Sequence, residues 1–339
     1  MSCVIQTDRQ YYKTVMSAVG RTMLIFLLLF GIYSEGIYYF SSLLNSLPIS
    51  RMANDIIYQI AYGFGYMLVF MLPVAFLRRF LRGSGCIIQP MSLSPRISPM
   101  IFPIVFAGVT ICFAMAQINA YVVDFLGYPD FSPGIMGEIM RTMKPYEIVL
   151  NFIVISVIPA FCEEFLFRGA ILSNCRPFGR SNAIIISAVL FALMHQNAAQ
   201  LLYTFAAGIV LGLVYEYTGS IWSCTILHLF NNLISVMQSV VISKYGETSH
   251  ALRTITIIEV FVYFVGVISI GVLVSRHFSK REKLEDGAFE KTFSATDDYA
   301  THPIRGREAA KLFFCPSMIA FVALVVLEIV LLMLFSFSM

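Results

Sequence analysis

Long apolar runs separated by short polar breaks make up most of this sequence. Within the runs, apolar residues are continuous rather than alternating, which favours membrane-spanning helices over the strands of a β-barrel. A helix needs about 20 mostly apolar residues to cross a bilayer. The pattern therefore predicts an all-α, polytopic integral membrane bundle of eight to nine transmembrane helices. The candidate runs, of which the fifth and sixth are short, are residues 22–46, 55–77, 99–126, 147–174, 181–196, 199–217, 220–243, 254–275 and 312–337.

The composition agrees with a membrane location. Hydrophobic side chains account for 58% of the 339 residues and charged ones for only 13%, whereas soluble proteins average about 25% charged residues. So few charges cannot cover a soluble globule of this length, which excludes an ordinary cytosolic enzyme, a secreted disulfide scaffold and a disordered protein. The net charge of +3 is too small to indicate a nucleic-acid partner. The protein is therefore expected to be surrounded by membrane lipid. Its cysteines are scattered along the chain and predict neither a disulfide framework nor a zinc finger.

Charged residues divide the chain into four parts. Residues 1–21 are polar for too long to be a signal peptide and are predicted to form a cytoplasmic segment. Residues 22–275 form the predicted transmembrane bundle, and residues 276–311, which mix both signs of charge, a cytoplasmic linker. Residues 312–339 are predicted to form a last transmembrane helix. The arginine-rich loop at 78–98 is expected on the cytoplasmic side of a multi-pass protein of the cell membrane.

Two adjacent glutamates, Glu163 and Glu164, interrupt the fourth apolar run. Ionisable groups inside a membrane span are costly and usually have a function. On a helix, Glu164 and Arg168 are four residues apart and can pair. Glu163 is turned about 100° away from Glu164 and has no such partner. The spacing predicts one neutralised and one available carboxylate, and a purely structural ion pair is the alternative.

Three further polar residues interrupt later runs. His195 ends the fifth run, and His228 and Asn232 share one helix face in the seventh. Glu163 and His195 are equally far in sequence from the turn near Gly179, so an antiparallel hairpin brings them level, about 20 Å from that turn. We therefore expect one carboxylate, two imidazoles and one amide to meet in a cavity within the membrane.

These side chains suit the hydrolysis of an acyl bond, in particular a peptide bond. A glutamate and a histidine around a water molecule form a general-base pair, and a second histidine with an asparagine can stabilise a developing oxyanion. This mechanism needs no metal and no other cofactor. Two histidines and a carboxylate are also reasonable zinc ligands, although the sequence contains no HExxH motif. A zinc-dependent membrane peptidase therefore remains an alternative.

Two motifs in this region resemble those of a known family. Glu163-Glu164-x-x-x-Arg168 resembles the EExxxR motif of the CPBP family, the CAAX prenyl protease and bacteriocin-processing proteins, also called Abi or Rce-type intramembrane proteases. Phe191-x-x-x-His195 resembles the FxxxH motif of the same family.

A third motif follows in the order that the family requires. His228-x-x-x-Asn232 resembles its HxxxN motif, so the resemblance covers about residues 147–243, the predicted protease core. The family implies a glutamate-dependent intramembrane endopeptidase that acts on membrane-associated, prenylated or leader peptides. The roles implied for individual residues are the general base for Glu163, water binding for His195, the oxyanion site for His228 and Asn232, a supporting ion pair for Glu164 and Arg168, and the cavity wall for Phe191.

Two other functions are compatible with parts of the pattern. Within the family, the chain is alternatively a non-proteolytic protein of bacteriocin immunity or a membrane scaffold. From another class, a small-solute transporter would use an intramembrane carboxylate as a proton relay. A transporter is expected to show inverted repeats or broken helices in both halves, whereas this sequence has no internal repeat and one polar cluster, in one half.

Overall fold

The fold is described by a computed structural model that covers residues 8–91, 93, 100–127, 143–246, 248–285 and 306–336. The described residues are 89% helical and contain no strand. Eight helices in these ranges are long and apolar enough to cross a membrane. The predicted all-α membrane bundle is therefore confirmed.

The helices are numbered here in chain order. They are α1 (Asp8–Ser46), α2 (Arg51–Gly83), α3 (Ile101–Phe125), α4 (Pro145–Phe178), α5 (Arg180–Met194), α6 (Leu201–Thr218), α7 (Ile221–Tyr245), α8 (His250–Glu285), α9 (Gly306–Phe313) and α10 (Pro316–Ser336).

Helix α5 is too short to cross a membrane alone. Its 15 residues extend for about 22 Å, whereas the hydrocarbon core of a bilayer is about 30 Å thick. The chain then makes a short turn, Ala198–Gln200, and continues into α6. The predicted fifth span is therefore a helix too short to span the hydrocarbon core, and its carboxyl end, which precedes His195, lies inside the bundle.

Helix α4 carries the glutamate pair and is irregular. Two stretches of wide π-helical turns, Ile153–Val157 and Phe165–Leu172, flank a regular stretch, Ile158–Glu164. Pro159 lies at the start of that stretch, and a proline removes a backbone donor and crowds the preceding turn. Wide turns of this kind are frequent at functional sites. The two glutamates thus lie at the end of a short regular segment, directly before the helix changes from α-helical to π-helical turns.

Close helix packing surrounds α4. Helix α2 packs on one side of it and α7 on the other, while α5 and α6 pack against each other. At Gly208 an added Cβ atom would lie 2.9 Å from the Cα atom of Ala188, so only glycine fits at this approach of α6 to α5. Small residues allow such approaches in membrane bundles. The result is a tight five-helix core of α2 and α4–α7 around the polar residues of α4.

The structure corrects the predicted start of the first helix. Helix α1 begins at Asp8, inside the segment 1–21 that was expected to be separate from the bundle. Val15 and Val19 are fully buried, and the hydroxyl group of Tyr12 donates a hydrogen bond of 2.9 Å to the carbonyl oxygen of Pro177. These apolar residues are spaced as on one face of an amphipathic helix. The polar opposite face lowers the average hydropathy, which is why a search for continuous apolar runs missed this segment.

The expected linker at 276–311 is also partly helical. Helix α8 continues to Glu285, because no glycine or proline occurs between Arg276 and that residue. Helix α9 lies mostly within the same linker, and the last span begins at Pro316 rather than at residue 312. Proline is favoured in the first turn of a helix, so it separates α9 from α10. Residues 286–305 lie outside the described part of the chain.

Candidate active site

A buried ion pair anchors the site. Arg168 Nη1 donates a hydrogen bond of 2.9 Å to Glu164 Oε1, and both side chains are 0% exposed. Arg168 Nη2 also donates to the carbonyl oxygen of Gly208 at 3.0 Å, and its guanidinium carbon lies 4.6 Å from the centroid of the Phe191 ring. The pair expected from the sequence spacing is therefore formed, and it links α4 to α5 and α6.

His228 lies between the two glutamates. Its Nδ1 atom is 2.8 Å from Glu164 Oε1, and its Nε2 atom is 3.9 Å from Glu163 Oε2. A carboxylate can only accept hydrogen bonds, so Nδ1 is the donor to Glu164. A chain of four ionisable side chains thus runs from Arg168 through Glu164 and His228 to Glu163. The sequence motifs predicted the first link but not the position of His228 in this chain.

Glu163 itself is buried, with 5% of its surface exposed. Its Oε1 atom accepts a hydrogen bond of 2.7 Å from the hydroxyl group of Tyr66, on α2. Its Oε2 atom is buried and has no hydrogen-bond partner among the described residues. A buried polar atom without a partner is uncommon, and a catalytic role is one physical explanation for it. The two oxygens of this carboxylate are therefore in different environments.

The remaining predicted residues surround a small cavity of about 40 Å³. His195, His228 and Asn232 line it together with Phe191 and Tyr203. A water molecule occupies about 30 Å³ in the liquid and needs two or more polar partners inside a protein. The cavity therefore has the size and the polar groups to hold about one water molecule, and it is too small for a peptide.

Phe191 contacts both histidines that line this cavity. The centroid of its ring lies 5.0 Å from that of His195 and 5.9 Å from that of His228. The carbonyl oxygen of Phe191 is 2.8 Å from His195 Nδ1, and since a carbonyl only accepts, Nδ1 is the donor. The other ring nitrogen of His195, Nε2, is left for a ligand. Phe191 thus forms the cavity wall, where the motif resemblance placed it, and also orients His195.

The structure brings most of the predicted residues together, with one difference. Glu163 is not among the residues that line the cavity, and within the described ranges no hydrogen bond joins it to His195. Its neighbour is His228, which does line the cavity. The expected general base thus lies behind the His228 imidazole rather than directly at the cavity.

Sequence reasoning missed several residues of the site. Tyr66 comes from a helix outside the motifs, and Asn231, on the cavity wall, donates to the hydroxyl group of Tyr203. Asn119 of α3 donates to the carbonyl oxygen of Ala199 at 2.7 Å and so holds the turn after His195. The presence of asparagine within two spans was the signal that could have revealed Asn119 and Asn231.

The turn that follows His195 has an unusual backbone. Gln196 has a φ of 51°, in the left-handed region, and is 8% exposed. Residues other than glycine rarely adopt this region, and such strained residues cluster at functional sites. Asn197 accepts a hydrogen bond from the backbone N–H of Ala199. These contacts fix the end of α5 and thereby the position of His195.

The zinc alternative requires at least three ligating side chains close together. Among the described residues, no three His, Cys, Asp or Glu side chains are grouped so that they could hold a metal ion. The donors proposed for zinc from the sequence are Glu163, His195 and His228. The residues present therefore do not fit a metal site in this arrangement.

The segment that builds this site matches a known family. Residues 145–234 match the Rce1-like family of type II CAAX prenyl endopeptidases. The Rce1-like segment begins with the first residue of α4, ends within α7 and contains all three motifs, which confirms the resemblance expected from them. Helices α1–α3 and α8–α10 lie outside the match. The chain is thus a multi-pass membrane protein with an Rce1-like protease-family segment.

Two broader comparisons add no relatives. Neither the curated proteins nor the solved structures contain a match to this chain.

Proposed function

We propose that this protein is an intramembrane endopeptidase of the cell membrane that hydrolyses peptide bonds in membrane-associated substrates, including prenylated and leader peptides. The observation that carries the proposal is the cavity of about 40 Å³ lined by His195, His228 and Asn232. Beside His228 lies the buried, unpartnered Oε2 atom of Glu163. The Rce1-like match of residues 145–234 supports the same activity at the level of the family.

In the proposed reaction, one water molecule in the cavity is the nucleophile. His195 accepts a hydrogen bond from it through Nε2, and Glu163 takes its proton as general base. The water oxygen bonds to the carbonyl carbon of the peptide, and the carbonyl oxygen becomes an oxyanion that Asn232 stabilises by donating from its amide. The C–N bond then breaks, and Glu163 returns the proton to the leaving amine.

Glu164 and Arg168 act in this scheme through His228. The proton on His228 Nδ1 is already used in the hydrogen bond to Glu164. His228 can then donate to the oxyanion only through Nε2, as an imidazolium ion with both nitrogens protonated. A charged donor forms stronger hydrogen bonds to an anion than a neutral one. The ion pair therefore serves to orient the imidazole.

The small volume of the cavity implies a conformational step before hydrolysis. A peptide does not fit into about 40 Å³, so substrate binding has to separate the helices that line the cavity. Catalytic contacts are commonly long or misaligned in a substrate-free enzyme and shorten when the substrate binds. In the proposed cycle, the same opening brings the Glu163 carboxylate from behind His228 to the water.

The direct test is the isotopic composition of the cleavage products. The purified protein, reconstituted in lipid nanodiscs, is incubated in H₂¹⁸O with a library of membrane-anchored, prenylated and leader-type peptides, and the products are analysed by mass spectrometry. Cleavage with one ¹⁸O atom in each new carboxyl terminus is expected. Glu328→Gln, which changes a carboxylate in α10 away from the site, is the matched control and should cleave as the wild type does.

The proposal would be contradicted if the wild-type protein cleaved no peptide of the library. If the wild-type protein binds peptides from the library but leaves every one uncleaved, the non-proteolytic alternative, immunity or scaffolding, is favoured instead.

A further inference from the structure

Tyr66 is in direct contact with the proposed general base, although it lies far outside the Rce1-like segment. It belongs to α2, and its hydroxyl group is 2.7 Å from Glu163 Oε1. Since a carboxylate only accepts, the phenol is the donor. In the described part of the chain, this is the one hydrogen bond that the Glu163 carboxylate receives.

This contact makes the two carboxylate oxygens unequal. Oε1 accepts the bond from Tyr66, whereas Oε2 is buried without a partner among the described residues and faces His228 Nε2 at 3.9 Å. A general base needs an oxygen with a free lone pair that points toward the proton to be removed. Because Tyr66 binds Oε1, the rotation of the carboxylate is restrained, and Oε2 lies on the side of His228, which lines the cavity.

The ring of Tyr66 is itself held by other aromatic rings. It stacks on Phe70, with centroids 4.8 Å apart and an angle of 28° between the planes. The ring of Tyr33 meets it edge-on at 6.5 Å. The hydroxyl group of Tyr33 takes no part in this contact, because it donates to the backbone oxygen of Tyr62 at 3.0 Å. Phe70 is 1% exposed. Packing against these rings therefore holds the hydroxyl group of Tyr66 in place. A side chain that positions a catalytic group has to be held in this way.

We propose that Tyr66 is a positioning residue for Glu163, resting on the function proposed above: by donating to Oε1, it directs Oε2 to the water that is activated. The catalytic unit then consists of the Rce1-like segment together with α2. Tyr66 does not touch the reacting atoms, and it acts through Glu163.

The first arm of the test measures turnover. Tyr66→Phe removes the hydroxyl group and keeps the ring stack. Loss of a hydrogen-bond partner that orients a metal ligand lowers activity by about 10–100-fold, and a loss of the same order is expected for a partner that orients a general base. We expect that loss in kcat, with KM unchanged. Tyr33→Phe is the matched control, since it removes a hydroxyl bond from the same stack that does not reach Glu163, and its kcat should stay at the wild-type value.

The second arm does not depend on turnover. The infrared difference spectrum between the wild type and Glu163→Gln isolates the carboxyl band of Glu163. Tyr66→Phe should shift this band, and Tyr33→Phe should leave it in place. If Tyr66→Phe fails to accumulate, 3-fluorotyrosine incorporated at position 66 is a stronger donor and should shift the band in the opposite direction.

The two arms separate the possible failures. A band that is unmoved by changes at Tyr66 overturns the proposed contact, and a wild-type kcat in Tyr66→Phe overturns the positioning role. If the wild-type protein cleaves no peptide, the proposed function fails, while the infrared arm still decides whether Tyr66 holds Glu163.

Discussion

Removal of Glu164 should destabilise the protein strongly, because it leaves Arg168 as a buried charge without its partner. Both side chains are 0% exposed, and the pair is joined at 2.9 Å. Breaking a buried pair by deleting one partner costs about 3–5 kcal/mol. A single hydrogen bond inside a membrane protein contributes about 0.6 kcal/mol on average. The uncompensated charge, rather than the bond from His228 that Glu164→Leu also removes, therefore dominates the expected loss.

Replacement of both partners should be less harmful than replacement of one. In Glu164→Leu/Arg168→Met no charge is left buried at this position, and His228 Nδ1 loses its partner. The carbonyl oxygen of Gly208 loses its bond from Arg168 but keeps its backbone bond, because it lies inside the regular helix α6. An unsatisfied buried group costs about 1–3 kcal/mol. We therefore expect the double variant to unfold at a free energy between those of the wild type and Glu164→Leu.

The assay is equilibrium unfolding in mixed micelles, in which the free energy of unfolding is obtained for each variant. Glu328→Leu is the control for a change of carboxylate within a span, because Glu328 lies in α10, away from the site, and this variant should stay near the wild type. The reasoning is refuted if Glu164→Leu lies within about 0.5 kcal/mol of the wild type, the range of an ordinary surface substitution. It is also refuted if the double variant is the least stable of the three.

Three shorter predictions concern the cavity, the packing and the metal. Asn232→Ala should slow peptide cleavage by about 10²–10³-fold, the usual effect of losing one oxyanion donor, with an unchanged melting temperature; an unaffected rate would remove Asn232 from the mechanism. Gly208→Ala should cost about 1–3 kcal/mol through overpacking against Ala188, whereas Gly271→Ala, whose Cβ meets nothing within 4 Å, should be tolerated; equal thermal stability of the two variants would contradict the packing described. Cleavage should persist after exhaustive chelation, and activity that is lost with the chelator and recovered with added zinc would establish the zinc-dependent alternative instead.

The spans and the ion pair could be predicted from the sequence because each depends on local spacing. Long apolar runs are required by the lipid, and side chains four residues apart on a helix are neighbours whatever surrounds them. Arg168 and Glu164 pair as expected, even though wide turns begin at Phe165. The amphipathic start of α1 escaped a search for continuous apolar runs because its polar face lowers the average hydropathy.

The relative rotation of the helices could not be predicted. Counting residues from Gly179 gives the depth of Glu163 and His195 but not the side of the helix on which each lies. The structure places His228, rather than His195, beside Glu163. The contact of Tyr66 with Glu163 spans 97 positions in sequence, and it depends on how α2 packs against α4. Such contacts between distant helices are set by tertiary packing, which no local pattern specifies.

The central claim is that Glu163 activates the water that cleaves a peptide bond. Its most direct test is the single-turnover rate at which Glu163→Gln cleaves an internally quenched membrane peptide, compared with the rate of the wild type at equal folded concentration. Glutamine keeps the shape of the side chain and can still accept from Tyr66, but it cannot take a proton at neutral pH. General-base catalysis contributes about 10²–10⁴-fold, so a loss of at least that size is predicted, and cleavage at the wild-type rate would contradict the account.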